Sequence, residues 1–183
     1  GYQRTLKDHT YEKRFLEIFR KMGIEYNPND PNNFMKIFIS ALSKNKTVGK
    51  NLAEAFRNLG HEADFYILDD DFFKKIIAFL IGHFPAKSKK NWWRIFLKLL
   101  NSQLYQKLSK SNSDLFLAVG GEGFLLETIS KIKKDLKIKT AVWVIEEPAQ
   151  ADSMNIYSWL DYSQYYNFFV IDELCAQSLQ YFY

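Results

Sequence analysis

The sequence predicts an α/β protein, a Rossmann-like three-layer sandwich around a mostly parallel sheet of about five strands. Two observations carry this. Short apolar runs rich in Val, Ile, Phe and Trp alternate along the chain with amphipathic stretches of helical period. Those runs are also apolar at nearly every position, the pattern of strands covered on both faces, so helices must lie on either side of the sheet. Right-handed crossovers then give the doubly wound arrangement.

The elements follow in order. Residues 5–22 read as an amphipathic helix, because Tyr11, Phe15, Ile18, Phe19 and Met22 recur at steps of three and four and Gly23 suits its end. Its domain is taken as 1–26. NPNDPNN (27–33) breaks regular structure with two prolines and several asparagines and reads as a linker. The main domain spans 34–183.

Within that domain FMKIFIS (34–40) is the first strand, and 48–60 a helix with Val48, Leu52, Ala55, Phe56 and Leu59 on one face and Gly60 at its end. EADFYIL (62–68) is the second strand, followed by an acidic turn, a helical segment to Gly82 and a long helix over 88–110. DLFLAVGG (114–121) is the third strand, Glu122 to Lys134 a helix, 138–148 the fourth strand and 167–173 the fifth. Asp172 suits the N-cap of ELCAQSLQYFY, and no stop signal follows, so the chain is expected to be an excerpt of a longer protein.

Composition narrows the function classes. Aromatic residues make up 17% of the 183 residues, enough for an aromatic-rich core. A net charge of +4 favours acidic or phosphorylated partners only weakly. Cys175 stands alone, which argues against a disulfide framework or a cysteine metal site and for a cytoplasmic setting. No run is long and apolar enough to span a bilayer, so any membrane is met from its surface.

In open parallel sheets ligands bind outside the carboxyl ends of the strands. That rule selects SALSKNKT (40–47, beginning at Ser40), LDDD (68–71), VGGEG (119–123), IEEP (145–148) and IDE (171–173). The first segment lacks GxGxxG, and Gly49-Lys50 lacks the earlier glycine of a P-loop, since position 44 is Lys. Gly120, Gly121 and Gly123 surround Glu122 at a strand-to-helix turn, where backbone amides and a helix N-terminus suit an anion. A tight turn needs glycine for its own sake as well. Glu146 and Glu147 close an apolar strand, so one carboxylate there can take a proton from a sugar hydroxyl, or both are simply solvated.

Asp69, Asp70 and Asp71 point in successive directions and suit helix capping better than a metal. His9, His61 and His83 share no ligand spacing, and no metal is expected; His83, in the GHFP turn, is a candidate base with a structural role as its rival. In 88–110 an apolar stripe of Trp92, Trp93, Phe96, Leu100, Leu104 and Leu108 is flanked by Lys89, Lys90, Arg94, Lys98 and Lys107. This is the pattern of a sheet-covering helix with a cationic outer face, and also of a helix in peripheral contact with an anionic membrane. Nucleic acid is not expected, for want of a stacking platform or basic arm.

The order of segments resembles a known family. MKIFISALSKNKTVGKNLAEAFRNLGHEADFYILDDD, with its Leu59-Gly60-His61-Glu62 turn, resembles the first βαβ unit of GT-B glycosyltransferases. The succession SDLFLAVGGEGFLLETI, IKTAVWVIEEP and YYNFFVIDE is similar to the amino-terminal domain of CgeB-like (spore-maturation type) members, over about residues 34–183. LKDHTYEKRFLEIF (6–19) resembles the closing helix of the carboxyl-terminal domain in the same enzymes.

The resemblance implies a two-domain enzyme whose carboxyl half binds a nucleotide-sugar donor and whose amino half, this chain, binds the sugar acceptor. Gly120, Gly121, Gly123, Ser40 and Glu147 would then line the acceptor side, with Glu146, Glu122 or His83 as the base. No cofactor or metal is implied, and the chain alone is expected to be inactive. Two rivals stand beside this reading. One is a non-catalytic α/β interaction domain in a larger assembly. The other is a flavodoxin- or receiver-like domain, against which a receiver's third-strand aspartate is missing, because Val119-Gly120-Gly121 occupies that place.

Overall fold

A computed structural model describes residues 34–70, 72–121, 123–144 and 168–171. The first strand, β1 (Lys36–Ala41), leads through a short 3-10 turn into helix α1 (Lys46–Asn58) and strand β2 (Glu62–Ile67). Helices α2 (Phe72–Gly82) and α3 (Ala86–Ser111) follow, then β3 (Leu115–Val119), α4 (Leu126–Asp135), β4 (Lys139–Val144) and β5 (Phe168–Ile171). The expected helix at 5–22 and linker at 27–33 lie outside the described residues.

The described strands form one sheet, parallel throughout, in the order β2-β1-β3-β4-β5. β1 to β4 make its body and the four-residue β5 pairs with β4. β1 lies between β2 and β3, with Ser40 opposite Tyr66 on one side and Ala118 on the other. The chain therefore winds outward from β1 in both directions, and the single switch point lies between the carboxyl ends of β1 and β3.

Side-chain alternation splits the core into two layers. Ile37, Ile39 and Ala41 face one way, joining Leu117 and Val119 of β3 under Leu52, Ala53 and Phe56 of α1. Phe38 and Phe116 face the other way, under Leu100, Leu104 and Leu108 of α3 and Ile129 and Ile132 of α4. This second layer is aromatic, as the composition predicts: Phe116 meets Phe124 edge-on at 5.8 Å and Phe38 at 6.5 Å. Phe56, Phe116 and Phe124 are fully buried, each contributing roughly 1.5–3 kcal/mol of transfer free energy.

Helix ends follow local chemistry. Gly60, at φ +87°, turns the chain out of α1, and Asn112, at φ +51°, does the same for α3. Several boundaries differ from the sequence reading by one or two residues, and one differs more. The helix expected from Glu122 begins at Leu126, because Gly120, Gly121 and Gly123 all adopt positive φ and Phe124 and Leu125 bury their side chains first.

The length of α3 sets the shape of the upper part of the molecule. Its 26 residues span about 39 Å, against about 17 Å for the five residues of β3. The lower end of α3 meets β3 at the amino edge of the sheet, while Asn101 reaches the loop beyond the carboxyl end of β3. Residues 86–100 therefore rise past the carboxyl edge. α2 leaves β2 at that edge and joins α3 through His83, Phe84 and Pro85, so the two form a projecting helical hairpin.

Candidate functional site

The switch point between the carboxyl ends of β1 and β3 is the place where an open parallel sheet can leave a crevice, and there the loop after β1 packs closely against the glycine turn after β3. Leu42 lies at 3.1 Å from the space that a Cβ on Gly123 would take, and the side-chain amide of Asn45 occupies the corresponding space over Gly120. These glycines are needed twice over, for their positive φ and for the close approach of the neighbouring loop.

A third loop braces the first. The Ser43 backbone amide donates to Asp69 Oδ1 at 2.6 Å and its hydroxyl to Asp69 Oδ2 at 2.8 Å. Asp69 thus tethers the β1 loop to the end of β2, rather than capping the next helix as the sequence suggests. Asp70 instead accepts from Lys75 at 3.0 Å and faces Lys46 at 3.9 Å. The hydrogen bond from Lys75, helped by the charge of Lys46, holds the Asp70 carboxyl below its ordinary range. Asp71 lies outside the described residues, and among those described no cluster of His, Cys, Asp or Glu could hold a metal ion.

Asn101 supports the glycine turn from the side of α3. Its amide nitrogen donates to Gly123 O at 2.7 Å and to Leu97 O at 2.8 Å, and its oxygen accepts the Leu125 N–H at 2.9 Å. The Gly120 amide donates to Trp143 O at 2.7 Å, extending the sheet. Two of the amides near the turn are thereby engaged within the protein. The first turn of α4 begins at Leu126, past the glycines, rather than at Glu122 as the sequence suggests.

The remaining predicted residues are distributed as follows. Ser40 sits on β1 one residue before the switch point, fully buried, with an Oγ that finds no hydrogen-bond partner. Gly120, Gly121 and Gly123 stand across from it at the end of β3. Glu122, Glu146 and Glu147 lie outside the described residues. His83 is exposed at the tip of the α2–α3 hairpin, its Nδ1 at 2.8 Å from Phe79 O and its ring 4.3 Å from that of Phe79. The length of α2, about 16 Å, separates it from the crevice.

Gly49, which with Lys50 lacks the earlier glycine of a phosphate loop, has a packing role. A Cβ there would run into the Phe65 ring, so its absence lets α1 settle on β2. Asn45, Ser43 and Asn101 were not singled out by the sequence reading. No spacing rule marks them, because each acts through a partner far away in the chain.

Comparison with family models, curated proteins and solved structures returns no match. The chemistry of this region is therefore read from its own residues. Around the switch point the described residues bring together the buried Ser40 hydroxyl, the glycine turn and the Ser43–Asp69 brace. The β1 loop lacks the glycine fingerprint of a dinucleotide site.

Proposed function

We propose that this chain is the acceptor-side half of a glycosyltransferase that moves a sugar from a nucleotide-sugar donor to a hydroxyl of a glycan, protein or other acceptor. The supporting observation is the order of segments along the chain, a glycine turn after β3, the sequence Glu146-Glu147-Pro148 following β4 and Asp172 following β5, an order that resembles CgeB-like enzymes.

The chemistry then needs one base. A carboxylate takes the proton of the acceptor hydroxyl as that oxygen bonds to the sugar carbon, and the nucleoside diphosphate leaves with the donor half. In sequence, Glu146 follows the last residue of β4 by two positions and Glu122 follows the last residue of β3 by three. His83, at the hairpin tip, is the weakest of the three candidates.

Because transfer requires a cleft closed by both halves, the 183-residue chain should show no sugar transfer and little nucleotide-sugar binding by calorimetry. A longer chain that includes a donor-binding half should transfer sugar, and should lose most of that activity on Glu146→Gln. Turnover by the 183-residue chain alone, or a longer chain with no nucleotide-sugar binding, would contradict the proposal. The latter result would favour a non-catalytic α/β interaction domain, a reading that the exposed apolar residues of the hairpin also support.

A further inference from the structure

The α2–α3 hairpin carries features that the crevice does not use. Its projecting part exposes large apolar side chains on both helices: Phe79 is 66% exposed, Leu80 53%, Trp92 49% and Ile95 57%. Leu99 continues the Trp92–Ile95 face at helical spacing, and Phe84 in the connecting turn meets the Trp92 ring at 5.8 Å, joining turn and helix into one apolar surface. This face is separate from the stripe that serves the core. Phe96, Leu100, Leu104 and Leu108 are buried in the core, whereas Trp92, Ile95 and Leu99 turn outward.

Charge is as uneven as hydropathy. Residues 72–113 hold nine of the chain's 25 Lys and Arg and none of its 21 Asp and Glu, which leaves the rest of the chain net acidic. Arg94 and Lys98 are exposed on the projecting part of α3, with Lys89 half-buried beside them. Aromatic and aliphatic side chains at the end of a projection, flanked by Arg94 and Lys98 in a stretch that has no carboxylate of its own, match an anionic lipid surface. The rings enter the headgroup boundary and the cations meet the phosphates. A folded protein gains little from exposing this much apolar surface unless something covers it. No described helix is long and apolar enough to cross a membrane, so the contact is one of docking.

We propose that the α2–α3 hairpin is a membrane-docking device that seats this protein on anionic phospholipid surfaces, with Phe79, Phe84, Trp92 and Ile95 inserted and Arg94 and Lys98 at the headgroups. It does not depend on the transferase reading, since it concerns a different part of the molecule and no sugar chemistry.

The test is co-sedimentation of the 183-residue chain with vesicles of phosphatidylcholine alone and of an equimolar mixture with phosphatidylglycerol, at low and high salt. The chain should bind the mixed vesicles, bind pure phosphatidylcholine far less, and weaken as salt rises. The triple variant Phe79→Ser, Trp92→Ser, Ile95→Ser and the double reversal Arg94→Glu, Lys98→Glu should each weaken binding by about tenfold or more. Both variants alter exposed positions, so unchanged circular dichroism and melting identify a loss of docking rather than of fold. Absence of binding to mixed vesicles at low salt overturns the proposal. So does binding that the triple serine variant leaves intact, which would mark a charge-only surface for polyanions such as RNA. A stable dimer in sedimentation velocity that the triple variant disperses, without vesicle binding, overturns it too and assigns the face to a second copy.

Discussion

The side-chain oxygen of Asn101, midway along α3, accepts the backbone N–H of Leu125 at 2.9 Å, while its nitrogen donates to Gly123 O at 2.7 Å. One buried amide thereby fixes both sides of the turn that forms a wall of the crevice. Replacing it with alanine strands a buried N–H and leaves a carbonyl short of a donor. Asn101→Ala should lower unfolding free energy by roughly 2–4 kcal/mol. Urea denaturation measures this, and a loss under about 1 kcal/mol would show that water replaces the amide.

Gly120 and Gly60 share a left-handed backbone, at φ +86° and +87°, but not their surroundings. Nothing approaches the space beside Gly60, while the Asn45 amide fills that beside Gly120. Gly60→Ala should cost about 1 kcal/mol from backbone strain alone. Gly120→Ala should cost at least about twice that, because Asn45 must also move. Melting of the two variants side by side checks the order, and Asn45→Ala should recover part of the second loss but none of the first.

His61 is buried behind α1, where its Nδ1 accepts the Met35 N–H at 3.3 Å and its ring meets Phe56 edge-on at 6.2 Å. Burial lowers its pKa below the ordinary value of 6.5. The unfolded chain therefore binds this proton more readily than the folded one. The resulting stability is fully present above pH 6.5 and declines as pH falls below it, until the folded histidine is protonated as well. Denaturant midpoints should fall between pH 7.5 and pH 5.5 in the native chain and fall less in His61→Gln. An equal fall in both would place the effect on other groups.

The sheet and its helices were legible because apolar period is a local signal. The continuous run LFLAV declares a strand buried on both faces, and β3 is buried at every position. The candidate site was legible only in outline. The strand-end rule selects Ser40, the glycine turn and the segments that hold Ser43 and Asp69, but neither the bond between those two nor Asn101. Those bonds join residues separated by 24 and 26 positions, and polar residues of this kind in a helix or loop are ordinarily solvated. The stripe in 88–110 was half legible. Phe96, Leu100, Leu104 and Leu108 of the stripe are buried, but Trp92, placed on it by its spacing, turns outward with Ile95 and Leu99, since nothing in the sequence says that α3 outruns the sheet.

The strand order also bears on how the chain folds. Only residues 42–61 lie between β1 and β2, whereas residues 42–114 lie between β1 and β3. Closing the longer loop costs about 1 kcal/mol more in chain entropy, before helix formation shortens it. β1 and β2 can therefore zip together locally, while the pairing of β1 with β3 waits for the whole hairpin between them. The crevice belongs to that late joint, so partly folded chains would already hold most of the first βαβ unit and still lack a place for a ligand.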